Sequence, residues 1–152
     1  MRLWRICRAV HAANALSGEG ARLYGGRWNS SGVSVVYAST SLALAAVETF
    51  VNLEPNLQPD DLVSIECVLP DDIEPERIAV QSLPRGWYKA RDESLRAFGD
   101  AWIRAGKSIA LYVPSAAVRG EWNVLINPAH SDIARIKVLE TRRFNFDLRM
   151  FR

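Results

Sequence analysis

The sequence has few of the residues that build metal sites and disulfide frameworks. Its 152 residues include two cysteines, Cys7 and Cys67, and two histidines, His11 and His130. None of them has the spacing of a zinc-binding motif. Both cysteines lie in apolar, strand-like segments, which favours buried free thiols. We therefore expect neither a metal site nor a disulfide.

Long apolar runs and long runs of one charge are also missing. No segment has the apolar length needed to cross a bilayer, and the first eight residues carry three arginines instead of a signal-peptide core. The net charge is only +2, without a basic block or a stripe of basic and aromatic residues. These absences predict a soluble, cytoplasmic protein that binds neither a membrane nor nucleic acid directly.

What is present is the composition of a single globular domain over residues 1–152. Apolar residues make up 49% of the chain, which is enough for a packed core, and no repeat or linker divides the chain. Apolar periodicity predicts a mixture of short strands and helices, which favours an α+β fold with a twisted, largely antiparallel sheet. Strands are predicted at 3–7, 33–38, 62–69, 109–113, 124–126, 133–139 and 144–150, with a shorter one considered at 77–80. Helices are predicted at 42–53 and 92–105, after a short helical turn that begins near residue 11.

Both predicted helices have a candidate buried face. In the first, we expect the face to consist of Leu42, Ala43, Ala46, Val47, Phe50 and Val51. In the second, Leu95, Phe98 and Trp102 share a face, and Gly106 is the expected stop.

Arg27 and Tyr37 are two candidate ligand-binding residues. Arg27 follows two glycines, which let the backbone approach a ligand while the guanidinium donates to phosphate. Tyr37 ends an apolar strand, where its ring could stack on a planar heterocycle. The alternatives are a solvated loop arginine and a core tyrosine with its hydroxyl at the rim.

Glu48 is the sharpest candidate, because it lies in a helix that is apolar nearly all round. Burying an unpaired carboxylate is costly, so this residue should have a partner or a function. A carboxylate here could stabilise an oxocarbenium-like transition state and bind a ribose hydroxyl. The alternative is a solvent-facing glutamate on the back of the helix.

Ser115 and two asparagines lie near the ends of later strands. Ser115 follows Val-Pro, where a turn or helix cap is the plainer interpretation, and the absence of a Gly-x-Ser-x-Gly motif makes a serine hydrolase improbable. From the local sequence, Asn123 and Asn127 are expected to hold loops through hydrogen bonds to the backbone, and His130 to be a loop residue.

Taken together, these residues closely resemble the RES-domain family of bacterial toxins, over nearly the whole chain. The family is named after an Arg, a Glu and a Ser, which map onto Arg27, Glu48 and Ser115. The matching segments are 3–6, 17–21, 25–29, 35–38, 45–48, 113–115, 123–130 and 146–149.

The resemblance implies a fold similar to that of ADP-ribosyltransferase toxins, and an enzyme that stops growth by degrading NAD. Family members cleave the nicotinamide–ribose bond and pass the ADP-ribosyl group to water, phosphate or a protein. NAD is then a substrate, phosphate is a candidate co-substrate, and no separate cofactor is implied. The implied partner is a Xre-like helix-turn-helix antitoxin, which covers the active site in a hetero-oligomer.

The resemblance also suggests a role for each site residue. Arg27 would hold the pyrophosphate or a phosphate co-substrate, and Tyr37 would pack against the nicotinamide or its ribose. Glu48 would bind the ribose hydroxyls and stabilise the oxocarbenium-like state. Ser115 would hydrogen-bond the nicotinamide end, and Asn123 is placed with the substrate-binding residues.

The sequence leaves three points open. A phosphate co-substrate calls for one more basic residue, for which the candidates are Arg22, Lys89, Arg91 and Lys107. A protein ADP-ribosyltransferase would use the same site with a different acceptor. A non-enzymatic binding module or an RNA-targeting toxin is the remaining alternative.

Overall fold

The computed structural model describes residues 1–89 and 92–152. Within them, seven strands form one sheet in the order β4-β5-β6-β2-β1-β3-β7. The pairing is antiparallel except between β4 and β5, so the predicted α+β fold with a largely antiparallel sheet is confirmed. The strands are β1 (Arg2–Arg8), β2 (Val36–Ser39), β3 (Leu62–Val68), β4 (Glu76–Arg77), β5 (Ala110–Pro114), β6 (Trp122–Ile126) and β7 (Lys137–Arg143).

Three α-helices accompany the sheet in the described part of the chain: α1 (Glu19–Tyr24), α2 (Leu42–Val51) and α3 (Glu93–Ala105). The Ser41 side chain caps α2 by accepting from the amide of Leu44, and Asp92 caps α3. Gly106 ends α3 with a φ of 59°, which is the left-handed conformation that favours glycine. Short 3-10 turns occupy Ala9–Asn14, Val80–Ser82, Ile133–Arg135 and Leu148–Phe151. No helix among these residues is long and apolar enough to cross a membrane.

The sheet is buried on both faces at its centre and split beside β1. Val124, Leu125 and Ile126 are all fully buried, because successive side chains of β6 enter separate hydrophobic clusters on the two faces. Strand β1 pairs with β3 along its whole length, but with β2 only at Trp4 and Ser39. The sheet therefore opens between β1 and β2.

Two strand predictions near the C-terminus were wrong. Residues 144–150 form no strand; their alternating aromatics instead form an edge-to-face cluster of Phe50, Phe144, Phe146 and Phe151. The strand predicted at 133–139 begins later, as β7, after the 3-10 turn that precedes Ile136. Edge strand β7 is mostly exposed, so its residues lack the alternation of apolar and polar side chains that would identify the strand.

The predicted helix faces were also partly wrong. The buried residues of α2 are Leu44 and Ala45, whereas Leu42 and Val51 of the predicted face are exposed. A helix that is apolar nearly all round has no pattern that selects one face. In α3, Leu95 and Trp102 are buried as predicted, but Phe98 is 44% exposed.

Both cysteines are free thiols, and burial raises the pKa of Cys67 to about 11. Because the thiolate is the reactive form, we expect iodoacetamide at about pH 8 to leave native Cys67 unmodified. Mass spectrometry should find the adduct only after the protein is unfolded in guanidinium. Alkylation of the native protein at the unfolded rate would contradict this burial.

Candidate active site

Two cavities meet where the sheet splits. The larger has a volume of about 660 Å³ and the smaller about 400 Å³. Both are lined by Arg5, Tyr37, Glu48, Asn52 and Asn123. Cavities of this size are typical of small-molecule sites. Three of the predicted site residues therefore lie where the cavities join.

The Glu48 carboxylate is held from one side. Its Oε1 accepts from the hydroxyl of Ser115 and from the amide nitrogen of Asn123, each at 2.6 Å. Within the described residues, Oε2 receives no hydrogen bond. Glu48 is half-buried at the cavity wall and paired with two donors, so it is not a solvent-facing residue on the back of α2.

The two donors to Glu48 are themselves fixed in place. The Ser115 hydroxyl accepts from the backbone amide of Val118 at 2.9 Å, so its proton points to Glu48. The Ser39 hydroxyl donates to Oδ1 of Asn123 at 2.7 Å, which turns the amide nitrogen towards the carboxylate. A fully connected polar network of this kind rigidifies the group at its centre.

These bonds change the expected positions of Ser115 and Asn123. Ser115 is fully buried behind Glu48 and lines neither cavity. Its side chain is therefore not placed to contact a nicotinamide bound in either cavity. The amide of Asn123 bonds to side chains, so its predicted role in holding a loop backbone was wrong. Asn127 does hold a loop, since it bonds to the backbone of Ile103 and Ala129.

The glycine-rich loop packs on Tyr37 and brings Arg27 to the cavity. The Tyr37 hydroxyl donates to Oδ1 of Asn29 at 2.7 Å and accepts from the Trp28 amide at 3.0 Å. A Cβ on Gly26 would lie 2.6 Å from that hydroxyl, so only glycine fits this approach. Arg27 is half-buried, lines the larger cavity and donates to the carbonyl of Trp87 at 2.9 Å.

A second arginine lies at the site, and it is not among the residues predicted from the sequence. Arg5, on β1, lines both cavities, whereas Arg22 is ion-paired with Glu19 outside them. Lys89 and Lys107 line neither cavity, and Arg91 lies outside the described residues. Strand alternation could have identified Arg5, because it places Arg5 on the same face of β1 as the fully buried Leu3. Burial lowers the pKa of the Arg5 guanidinium.

The charges on the wall of the larger cavity suit a ligand that carries negative charge in one part and positive charge where it reacts. Arg5 and Arg27 line the larger cavity, and Glu48 is the one carboxylate among its described lining residues. Within residues 1–89 and 92–152, no three His, Cys, Asp or Glu side chains are grouped so as to hold a metal ion. Tyr24, Val51 and Tyr88 add exposed or half-buried apolar surface to the wall.

Sequence comparisons find similar proteins over nearly the whole chain. The model of the RES domain family matches residues 2–147. A Prs ADP-ribosylating toxin from Sphingobium sp. is 39% identical and aligns over 98% of this chain and 96% of its own length. Toxin Res from Photorhabdus laumondii is 32% identical over 99% of this chain and 97% of its own.

A solved structure shares the fold. A chain of the M. tuberculosis MbcT-MbcA toxin-antitoxin complex superposes with a TM-score of 0.73. The match covers 95% of this chain and 84% of that chain, at 17% sequence identity.

Proposed function

Because the chain belongs to the RES domain family, we propose that it is the toxin of a bacterial toxin–antitoxin system and that it cleaves the nicotinamide–ribose bond of NAD. The observation that carries this proposal is the Glu48 carboxylate. It lies at the junction of two cavities, with one oxygen held by two donors and the other without a described partner. The relatives named as toxins, and the structural neighbour from a toxin–antitoxin complex, support the biological role.

The proposed reaction breaks the bond between the ribose C1′ and the nicotinamide nitrogen. The bonding electron pair leaves with nicotinamide, which becomes neutral and needs no proton. Positive charge then develops on the ribose, and the Glu48 carboxylate stabilises it. Oε2 is free to accept from a ribose hydroxyl, because both protein donors bind Oε1.

In this proposal Ser115 and Asn123 position the carboxylate. Their hydrogen bonds fix the orientation of Glu48 before the substrate binds, so less reorganisation is needed in the transition state. Arg27 is proposed to bind the pyrophosphate of NAD, since a guanidinium binds phosphate oxygens through two donors. The ring of Tyr37 is proposed to pack on the nicotinamide or its ribose, while its hydroxyl is engaged by the glycine-rich loop.

Replacing Ser115 with alanine tests the positioning role. We expect kcat to fall about tenfold, because a hydrogen bond to a charged group is lost while Glu48 itself remains. The affinity for ADP-ribose should not change, since Ser115 lines neither cavity. Ser131→Ala, an exposed loop serine, is the control and should retain the parent rate. A Ser115→Ala variant that binds ADP-ribose much more weakly but keeps its kcat would contradict this role.

The acceptor of the ADP-ribosyl group is proposed to be water or phosphate, which makes the enzyme a glycohydrolase or a phosphorylase. A protein acceptor is the second candidate, and the name of the 39% identical relative favours it. A Xre-like antitoxin is proposed to cover the cavity. Tyr24 and Val51, which are 81% and 58% exposed at its wall, offer an apolar contact surface.

The experiment that tests this function follows the ADP-ribose half of NAD by mass spectrometry. Purified protein is incubated with NAD in water, with phosphate, and with an extract of host proteins. Free ADP-ribose identifies a glycohydrolase, a phosphorylated ADP-ribose identifies a phosphorylase, and a modified protein identifies a transferase. NAD that stays intact under all three conditions would refute the proposal and return attention to a binding module or an RNA target.

A further inference from the structure

Tyr88 is a half-buried aromatic residue on the wall of the larger cavity. It lines only that cavity, whereas Glu48 lies where the two cavities join. The roles proposed for the other site residues leave Tyr88 without one. An aromatic ring that is half-open to a cavity offers a flat surface that a planar ligand can cover.

The ring of Tyr88 is held in orientation by two neighbouring side chains. The Cζ atom of the Arg119 guanidinium lies over one face, 4.6 Å from the ring centre, in a cation–π contact. The ring of Trp87 is nearly perpendicular to that of Tyr88, with the two ring centres 5.8 Å apart. Because Arg119 covers one face, the opposite face is the one left for a ligand.

Arg119 belongs to the turn of residues 115–121, which is closed by its own hydrogen bonds. The Val118 amide donates to the Ser115 hydroxyl oxygen at 2.9 Å, and the Ser115 amide donates to the Glu121 carbonyl at 2.9 Å. The contact of Arg119 with Tyr88 therefore joins two segments of the cavity wall. A ring fixed in this way loses little conformational freedom when a ligand binds to it.

The place of Tyr88 on the wall follows the order of the groups in NAD. Nη1 of Arg27 donates to the carbonyl of Trp87 at 2.9 Å, so the arginine proposed to bind the pyrophosphate contacts the residue next to Tyr88. Glu48, proposed to bind the ribose that carries nicotinamide, lies at the junction of the cavities. Beyond the pyrophosphate of NAD comes adenosine, whose base is a planar heterocycle.

We propose that Tyr88 stacks on the adenine ring of the substrate, with Arg119 holding the other face of the tyrosine ring. This inference rests on the proposed NAD-cleaving function and extends it with a residue that determines specificity at the adenosine end. Arg119 contacts the tyrosine ring, so its role is positioning. Tyr24, on the same wall, is 81% exposed and has no ring or cation–π contact among the described residues, so it offers a less ordered surface.

The test is equilibrium binding by calorimetry with two probes, ADP-ribose and UDP-ribose, which differ only in the base and share the diphosphate and both riboses. Tyr88→Ala is expected to weaken ADP-ribose binding about tenfold, and UDP-ribose binding less, because uracil has the smaller surface for stacking. Tyr88→Phe keeps the ring and should bind both probes within about twofold of the parent.

Three results would overturn the stacking role of Tyr88. They are an unchanged affinity of folded Tyr88→Ala for ADP-ribose, an equal loss for both probes, and a Tyr88→Phe variant as weak as Tyr88→Ala. Parent protein that binds neither probe overturns it as well. These readouts need no NAD cleavage, so a parent that binds ADP-ribose but leaves NAD intact refutes the proposed function and not this inference.

The positioning role of Arg119 is tested with the same probes. Arg119→Met removes the cation and should weaken ADP-ribose binding about threefold, whereas Arg119→Lys keeps a cation over the ring and should restore most of the affinity. Arg104→Met, at an exposed arginine of α3 that lines neither cavity, is the control and should bind like the parent. Parent-like binding by Arg119→Met, or no recovery with lysine, refutes this role.

A variant that does not fold is covered by a measurement on the parent protein. With tyrosine rings labelled by ¹³C, nuclear Overhauser contacts to the adenine protons of bound ADP-ribose are recorded, and Tyr88→Phe supplies the assignment. We expect the adenine protons to contact the ring of Tyr88. Contacts to the ring of Tyr24 instead, or to no tyrosine ring, would overturn the proposal.

Discussion

Glu48→Gln is expected to lower the kcat for NAD cleavage by about 10²–10³-fold, in line with the loss of a preorganised electrostatic group. Glutamine keeps an oxygen that can still accept from Ser115 and Asn123, so the network around it survives. What it loses is the negative charge opposite the developing positive charge of the ribose. The variant should therefore fold like the parent, and its affinity for ADP-ribose should fall only by the loss of the one hydrogen bond that Oε2 is proposed to accept from a ribose hydroxyl.

The measurement is single-turnover nicotinamide release by purified proteins at saturating NAD. Glu54→Gln is the control, because Glu54 is an exposed glutamate shortly after α2, and its substitution should leave the rate unchanged. Binding of ADP-ribose and the thermal unfolding midpoint are measured alongside. If Glu48→Gln released nicotinamide at the parent rate, the carboxylate would have no catalytic role.

Gly99→Ala is expected to destabilise the protein by about 3 kcal/mol or more, or to prevent folding. In an ordinary helix interior this change is stabilising by about 1 kcal/mol, because alanine is the better helix former. Here a Cβ would lie 1.7 Å from the carbonyl oxygen of Trp28, so α3 or the Trp28 backbone would have to move. Gly99→Ala is therefore predicted to lower the stability of the protein, although helix propensity alone would raise it.

Urea unfolding at equilibrium measures this effect. Ala101→Gly, at an exposed position of α3, is the control and should cost about 1 kcal/mol. The effect of Gly99→Ala should extend to the site, because Trp28 follows Arg27 and the Ser30 amide donates to Asp100 of α3 at 2.9 Å. A Gly99→Ala protein as stable as the parent would show that this close approach is not required.

Part of the candidate site could be predicted from the sequence, because a charged side chain is unusual in an otherwise apolar element. Glu48 is a carboxylate in an apolar helix, and it does make the hydrogen bonds that its burial calls for. The position of Ser115 behind Glu48 could not be predicted, because it depends on how the turn after β5 folds against α2. Arg5 was missed because the arginines of β1 look alike in sequence, and only the split in the sheet separates their environments.

In the fold, too, the elements that local sequence determines could be predicted, and those that depend on distant contacts could not. Capping residues and apolar periodicity place α2, α3 and the central strands near their observed bounds. The alternating aromatics of residues 144–150 have the period of a strand, yet they pack on one another and on Phe50. Edge strand β7 forms through backbone pairing with β3, and backbone pairing cannot be recognised from the pattern of side chains.

Cleavage of NAD by Glu48 is tested most directly by a time course of nicotinamide release from NAD labelled in its nicotinamide ring. Parent protein and Glu48→Gln are compared at equal concentration. Cleavage of the nicotinamide–ribose bond is common to all three acceptors, so we expect the parent to release one nicotinamide for each NAD consumed and the variant to release almost none. NAD that stays intact with the folded parent in the presence of water, phosphate and host proteins would contradict the proposed cleavage, as would equal nicotinamide release by the two proteins.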